Sequence, residues 1–216
     1  MSPRRITIIA GICVIAAAAG GCSRGLPSDS PSTAPQDSGN TNSSPLPSAT
    51  KSVPFAGAPK VPSPLPDSAL AGDPCAALTP QQVKDALGNR VNQKRHDISG
   101  IGASCYWSAD SGAAVAVTLD TQSRHGLSGL YANVQPKAEV WKVLPAIQGF
   151  PAVASVTPSG GAPDRYCSIS VGLLDTATVD VGLFLGDSKI GKVDPCTVGS
   201  RAADAAVSTL REKAGA

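Results

Sequence analysis

The sequence predicts an α+β domain, an antiparallel sheet with helices packed on it and two disulfides. Three observations lead there. Several stretches alternate apolar with small or polar residues, at the two-residue period of half-buried strands. Capped helix starts stand at both ends of that region. Four cysteines fall within it, an even number that suits an exported, disulfide-bonded domain. Strands grouped between helices, without strict strand–helix alternation, argue for one sheet and a separate helical layer.

The chain has 216 residues and a net charge of +2, with 16% charged and 4% aromatic residues. That length fits one domain plus an extended segment. Near-neutral charge removes the electrostatic case for nucleic acid, which needs a basic face against the phosphates.

The amino terminus has the anatomy of an export signal. Arg4 and Arg5 are followed by 14 apolar or small residues at 6–19, too few for a spanning helix of roughly 20. Gly20-Gly21-Cys22 then resembles a bacterial lipoprotein signal, although Ala19 stands where such signals usually carry Leu. The resemblance implies a signal peptide at 1–21, lipidation (palmitate) of Cys22, and a membrane anchor at the outer face of the cytoplasmic membrane. Cys13 is lost with the signal.

Residues 23–72 contain 10 Pro, 11 Ser and 4 Gly in 50 positions. Such a composition buries too little apolar surface to offset ordering, so 22–72 is expected to be a lipidated cysteine and a disordered tether. As a flexible coil it spans about 40 Å, and as extended polyproline about 150 Å. Ser48-Ala49-Thr50-Lys51 fits the S-x-x-K pattern of penicillin-binding enzymes but lacks the partner motifs, and is read as chance.

The folded domain is expected at 73–216, where 13 basic residues balance 13 acidic ones. Thr79 caps a helix with Pro80 at its first position and Gln82 completing a capping box. Leu78 and Val83 form its staple, and Gly88 ends it. Asp194-Pro195-Cys196 repeats Asp73-Pro74-Cys75 and opens a last helix with Cys196, Ala203, Val207 and Leu210 on one face. Between these helices, Ala113, Val115, Val117 and Leu119 alternate after a turn at Asp110-Ser111-Gly112. Ile169, Val171 and Leu173 do likewise, as do Val179, Val181, Leu183 and Leu185, with a hairpin turn at Asp175-Thr176. A strand carries Cys105 and Trp107 on one face. A short helix near 127–133 and strands near 140–144 and 152–156 complete the set.

Cys75, Cys105, Cys167 and Cys196 permit three pairings. Cys75–Cys105 and Cys167–Cys196 are favoured, because each staples a helix start to the nearest cysteine-bearing strand. Zinc-type spacing is absent and no His lies near, so no metal is expected. The two Asp-Pro-Cys motifs, Cys105-Tyr106-Trp107 and Gly149-Phe150-Pro151-Ala152 follow one another in an order that resembles an actinobacterial lipoprotein family, domain of unknown function 3558. The resemblance implies a cell-envelope lipoprotein and transfers no catalytic residue.

The residues suggest no catalysis and no cofactor. His96 and His125 are expected in loops, away from the acid that a hydrolase triad requires. Glu139 and Glu212 are the only glutamates of 73–216, and its aspartates fall mostly in turns and caps. Trp141 and Tyr131 are the aromatics that suit a binding surface. The leading expectation is therefore a non-enzymatic domain that binds an envelope protein or wall polymer. Two rivals stand beside it. A carrier or sensor of a small apolar ligand requires a cavity lined by groups such as Val117, Val181 and Phe184. A wall-polymer hydrolase requires His96 or His125 to face an acid.

Overall fold

The computed structural model describes residues 52–216. The expected signal at 1–21, Cys22 with its lipid, and the tether up to residue 51 lie outside the described residues.

The strands are β1 (Val91–Ile98), β2 (Gly102–Ala109), β3 (Ala114–Asp120), β4 (Val140–Ile147), β5 (Phe150–Val156), β6 (Tyr166–Leu174) and β7 (Ala177–Phe184). They form one seven-stranded sheet in the order β1-β2-β3-β7-β6-β5-β4, antiparallel throughout. Two meanders, β1 to β3 and β4 to β7, meet where β3 pairs with β7. The helices are α1 (Pro80–Leu87), α2 (Leu127–Asn133) and α3 (Pro195–Ala214).

Alternation decides what each sheet face does. Val115, Val117 and Leu119 of β3 pair with Leu183, Val181 and Val179 of β7, which pair in turn with Cys167, Ile169 and Val171 of β6. All are at most 4% exposed. Against them lies α3, whose buried stripe includes Cys196, Gly199, Ala203, Ala206, Val207 and Leu210. Gly199 lets the helix approach closely, since a Cβ there would stand 3.1 Å from Ile169 Cγ1. Each such aliphatic side chain stabilises the fold by about 1.5–3 kcal/mol on burial.

Both helix starts form as the caps predict. Thr79 Oγ1 accepts from the Gln82 amide at 3.2 Å while Gln82 Oε1 accepts from the Thr79 amide at 2.7 Å. Asp194 accepts from the Cys196 amide at 2.9 Å and pairs with Lys142 at 3.5 Å. Partial burial raises the Asp194 pKa, but the Cys196 amide, Lys142 and Thr197 outweigh it and hold the carboxyl below its ordinary value. The two disulfides are Cys75–Cys105 and Cys167–Cys196, with Cα–Cα distances of 4.9 and 5.0 Å. They close loops of 30 and 29 residues, worth about 3–4 kcal/mol each by chain entropy.

Two expectations need correction. The tether does not extend to residue 72. Val61, Leu65, Ala69 and Leu70 are buried, the Leu65 amide donates to Leu173 O at 3.1 Å, and the Val61 amide donates to Asp175 Oδ1 at 2.8 Å. Gly172 makes room for Leu127 of α2, which a Cβ there would meet at 2.9 Å, and Val61 of the strap packs beside it. Composition misses the strap because its prolines separate the apolar residues without preventing them from packing, and already restrict the unfolded chain. The folded unit therefore includes part of the expected tether.

His96 is the second correction. It lies within β1, not in a loop, and is exposed. Val91 and Ile98, at the ends of β1, are its only hydrophobic residues, so no alternation announces it. Pairing with β2 from Val91↔Ala109 to Ile98↔Gly102 makes it a strand, and its polar sequence suits a sheet edge.

Candidate functional site

The residues between the apolar ones of each strand build the sheet's other face. One row crosses all seven strands as Lys94, Tyr106, Ala116, Gly182, Ser168, Ser155 and Trp141. The next row is His96, Ser104, Thr118, Asp180, Ser170, Val153 and Val143. The helix-side rows are almost wholly aliphatic where these carry hydroxyls, a carboxylate and small residues.

The first row is half-open near its middle. Tyr106 is 37% exposed, while Ala116, Gly182 and Ser168 are intermediate. Tyr166 leans over Gly182, where a Cβ would lie 3.4 Å from Tyr166 Oη. Tyr166 also packs on Phe184, with ring centroids 4.5 Å apart. The small residues Ala116 and Gly182 thus floor a shallow trough near Tyr106 and Tyr166. Burial raises the Tyr166 pKa first; Ser168 opposes that rise and the Asp180 charge adds to it.

The second row is deeper. Ser104 and Thr118 are buried and share a hydrogen bond of 2.9 Å. Asp180 Oδ2 accepts from Thr178 Oγ1 at 3.0 Å. Asp180 Oδ1 is shielded from solvent and has no hydrogen-bond partner of good geometry among the described residues. Burial pushes the Asp180 carboxyl up to about 6, the nearby Asp120 charge adds to the rise, and Ser170 and Thr178 oppose it. A shielded carboxylate with an incompletely satisfied oxygen beside a row of hydroxyls marks this row as a candidate site.

Sequence reasoning passed over Asp180, because it counted the aspartates as turn and cap residues. The available signal was the strand alternation itself. With Val179 and Val181 facing the helices, Asp180 has to face the other way.

Of the expected site residues, Tyr131 and Trp141 are brought together edge to face, with centroids 5.1 Å apart. Both are half-buried and join α2 to the edge strand β4. Burial raises the Tyr131 pKa. Trp141 Nε1 is shielded and has no hydrogen-bond partner among the described residues. The two aromatics stand at one end of the trough's row, across Ser155 and Ser168 from Gly182.

The histidines do not come together with an acid in this site. His96 shares its row with Asp180 but is three strands away, about 14 Å at ordinary strand spacing. His125 lies exposed before α2, its ring 5.8 Å from that of Phe55. The cavity that a carrier or sensor of an apolar ligand would require around Val117 and Val181 is filled, both residues being 0% exposed. Phe184 belongs to the opposite face, since it alternates with Leu183. That interior is packed solid by α3 and the neighbouring strands.

The family model described as a protein of unknown function (DUF3558) matches residues 17–209. The chain belongs to that family. No curated protein and no solved structure matches it.

Proposed function

We propose that this member of the DUF3558 family is an exported, lipid-anchored cell-envelope protein whose domain binds a partner without catalysis. The partner is an envelope protein or a wall polymer, and it docks on the polar face of the sheet. The observation that carries this reading is the half-open trough at Ala116 and Gly182, backed by the shielded Asp180 carboxylate with an unused oxygen. A carboxylate oxygen shielded from water without a partner costs stability, and ligand recognition at this face is a use that accounts for it.

Three further features support the location. Both disulfides tie a helix start to the sheet, which favours an oxidising compartment. No helix among the described residues is long and apolar enough to cross a membrane, and Gly20-Gly21-Cys22 resembles a lipoprotein signal that would supply the attachment point. Residues 23–51 separate Cys22 from the described part of the chain. Trp141 and Tyr131 extend the recognition surface, and a domain of balanced charge gives no affinity for nucleic acid.

One experiment tests both parts. The protein is purified from the membrane fraction with a photo-crosslinking phenylalanine in place of Tyr106, activated beforehand in intact cells. Intact mass should show a chain beginning at acylated Cys22, with four cysteines labelled only after reduction, and a discrete adduct. The same crosslinker at Val193, which is 40% exposed on the far side of the domain, should give none. An unacylated chain would overturn the anchoring, and equal or absent adducts at the two positions would overturn the binding face.

A further inference from the structure

A groove of about 650 Å³ opens on the helix-bearing side of the sheet, opposite the polar trough. It lies between α1 and the last turns of α3, over β1 and β2. Leu78 and Val83 line one wall, Val91 and the Cys75 disulfide contribute to the floor, and Trp107 lies among them. A cavity of this size is within the range of small-molecule sites, about 300–1,000 Å³.

The polar groups around the groove are mostly already used. Trp107 Nε1 donates to Gln93 Oε1 at 2.9 Å, and Thr209 Oγ1 donates to Gln82 Oε1 and Ala205 O at 3.1 and 3.0 Å. Thr79 is occupied in the capping box. The charged residues that line the groove are Lys84 and Lys213, both exposed, and no carboxylate lines it. Lys213 Nζ donates to Ala76 O, whereas the Lys84 ammonium has no partner among the described residues. Nearby acids are engaged elsewhere: Asp73 with the Cys75 amide and Arg95, and Asp85 with Gln81 at 2.7 Å.

An apolar trench whose only formal charges are two ammonium groups complements one kind of ligand, a hydrocarbon chain ending in an anion. We infer that this groove binds a long-chain amphiphile of the fatty-acid type, its chain over Leu78, Val83 and Trp107 and its carboxylate beside Lys84. The site goes beyond the partner-binding face and lies on the other side of the sheet, so each stands or falls separately.

Trp107 supplies the readout. The chain has two tryptophans, so the full chain carrying Trp141→Phe reports from Trp107 alone. Dibromostearate, a heavy-atom quencher, and its methyl ester serve as probes below their micelle-forming concentrations. The acid should quench Trp107 saturably and bind about tenfold tighter than the ester, a difference of about 1.4 kcal/mol. Lys84→Glu should abolish that preference, and Lys84→Met should remove most of it, with the ester's affinity unchanged in both. Lys84 is exposed and its side chain bonds to nothing described, so both variants retain the fold. Absence of saturable quenching by the acid would overturn the site, as would acid and ester affinities that are equal and indifferent to Lys84. Acylation at Cys22 does not enter this result, and an unacylated chain that still binds the acid separates the groove from the anchoring reading.

Discussion

On the α3 side of the sheet, β7 presents Val179, Val181 and Leu183; on the other side, the same strand presents Thr178, Asp180 and Gly182. The neighbours repeat the contrast, with Ile169 and Val171 on β6 against Ser168 and Ser170, and Val115 and Val117 on β3 against Ala116 and Thr118. Over β6 and β7 the first face is sealed by a twenty-residue helix and anchored by Cys167–Cys196. The second is covered in part by the seven-residue α2 and the strap, and remains half-open at Ala116 and Gly182. Most of the aliphatic burial therefore lies on one face, while the other, with a smaller apolar contribution from Val61, Leu127 and Val153, also carries polar groups that a core would exclude. A sheet with one closed face tolerates such groups because the closed face already provides most of the burial.

The sharpest way to break this contrast is to move the carboxylate by one residue. Val181→Asp places an unpaired acid in the aliphatic layer and should cost more than about 4 kcal/mol. The expected result is loss of a cooperative thermal transition. A variant that folds with near-normal stability would show that the two faces are not distinct in kind. A milder comparison uses adjacent residues of β6. Ile169→Ala should lower stability by about 2–5 kcal/mol, whereas Ser170→Ala should change it by about 1 kcal/mol or less. Urea midpoints at constant slope measure both, and equal losses would contradict the assignment of the core to one side.

Most of the sealed face was legible in the sequence. Alternation assigned the inward residues of β3, β6 and β7, and Thr79, Asp194 and Gly88 marked helix ends because capping is local chemistry. The disulfides followed from the same reasoning, since Cys75 and Cys196 sit at helix starts while Cys105 and Cys167 sit on strands. The strap was hidden because Val61 and Leu65 lie in a proline-rich stretch whose partners, Asp175 and Leu173, are more than 100 residues away. β1 was hidden because an edge strand needs little apolar surface. The amphiphile groove was invisible for another reason. Its walls come from α1, β1, β2 and α3, and no local pattern records that they converge. Asp180 occupied a middle case, its facing fixed by alternation but its burial fixed only by what packs around it.

The pH dependence of Asp180 tests the central claim most directly, that the polar face holds this carboxylate at a cost to stability. Its pKa rises from 3.8 in the reference state to about 6 in the fold. The folded protein therefore binds the proton more tightly than the unfolded chain, and this contribution to stability is present in full below about pH 4. It is lost as pH rises through about 6, a change of about 2–3 kcal/mol at 1.4 kcal/mol per unit. Asp180→Asn keeps a neutral amide there at all pH values, so comparison with the parent cancels the other carboxylates, including Asp194 with its opposite shift. Unfolding free energies measured at pH 4 and pH 7.5 should show the variant more stable at pH 7.5 by about 2 kcal/mol, with the advantage shrinking toward pH 4. A variant equally or less stable at pH 7.5, with no change in the difference between the two pH values, would mean that Asp180 is an ordinary structural acid and would contradict the account.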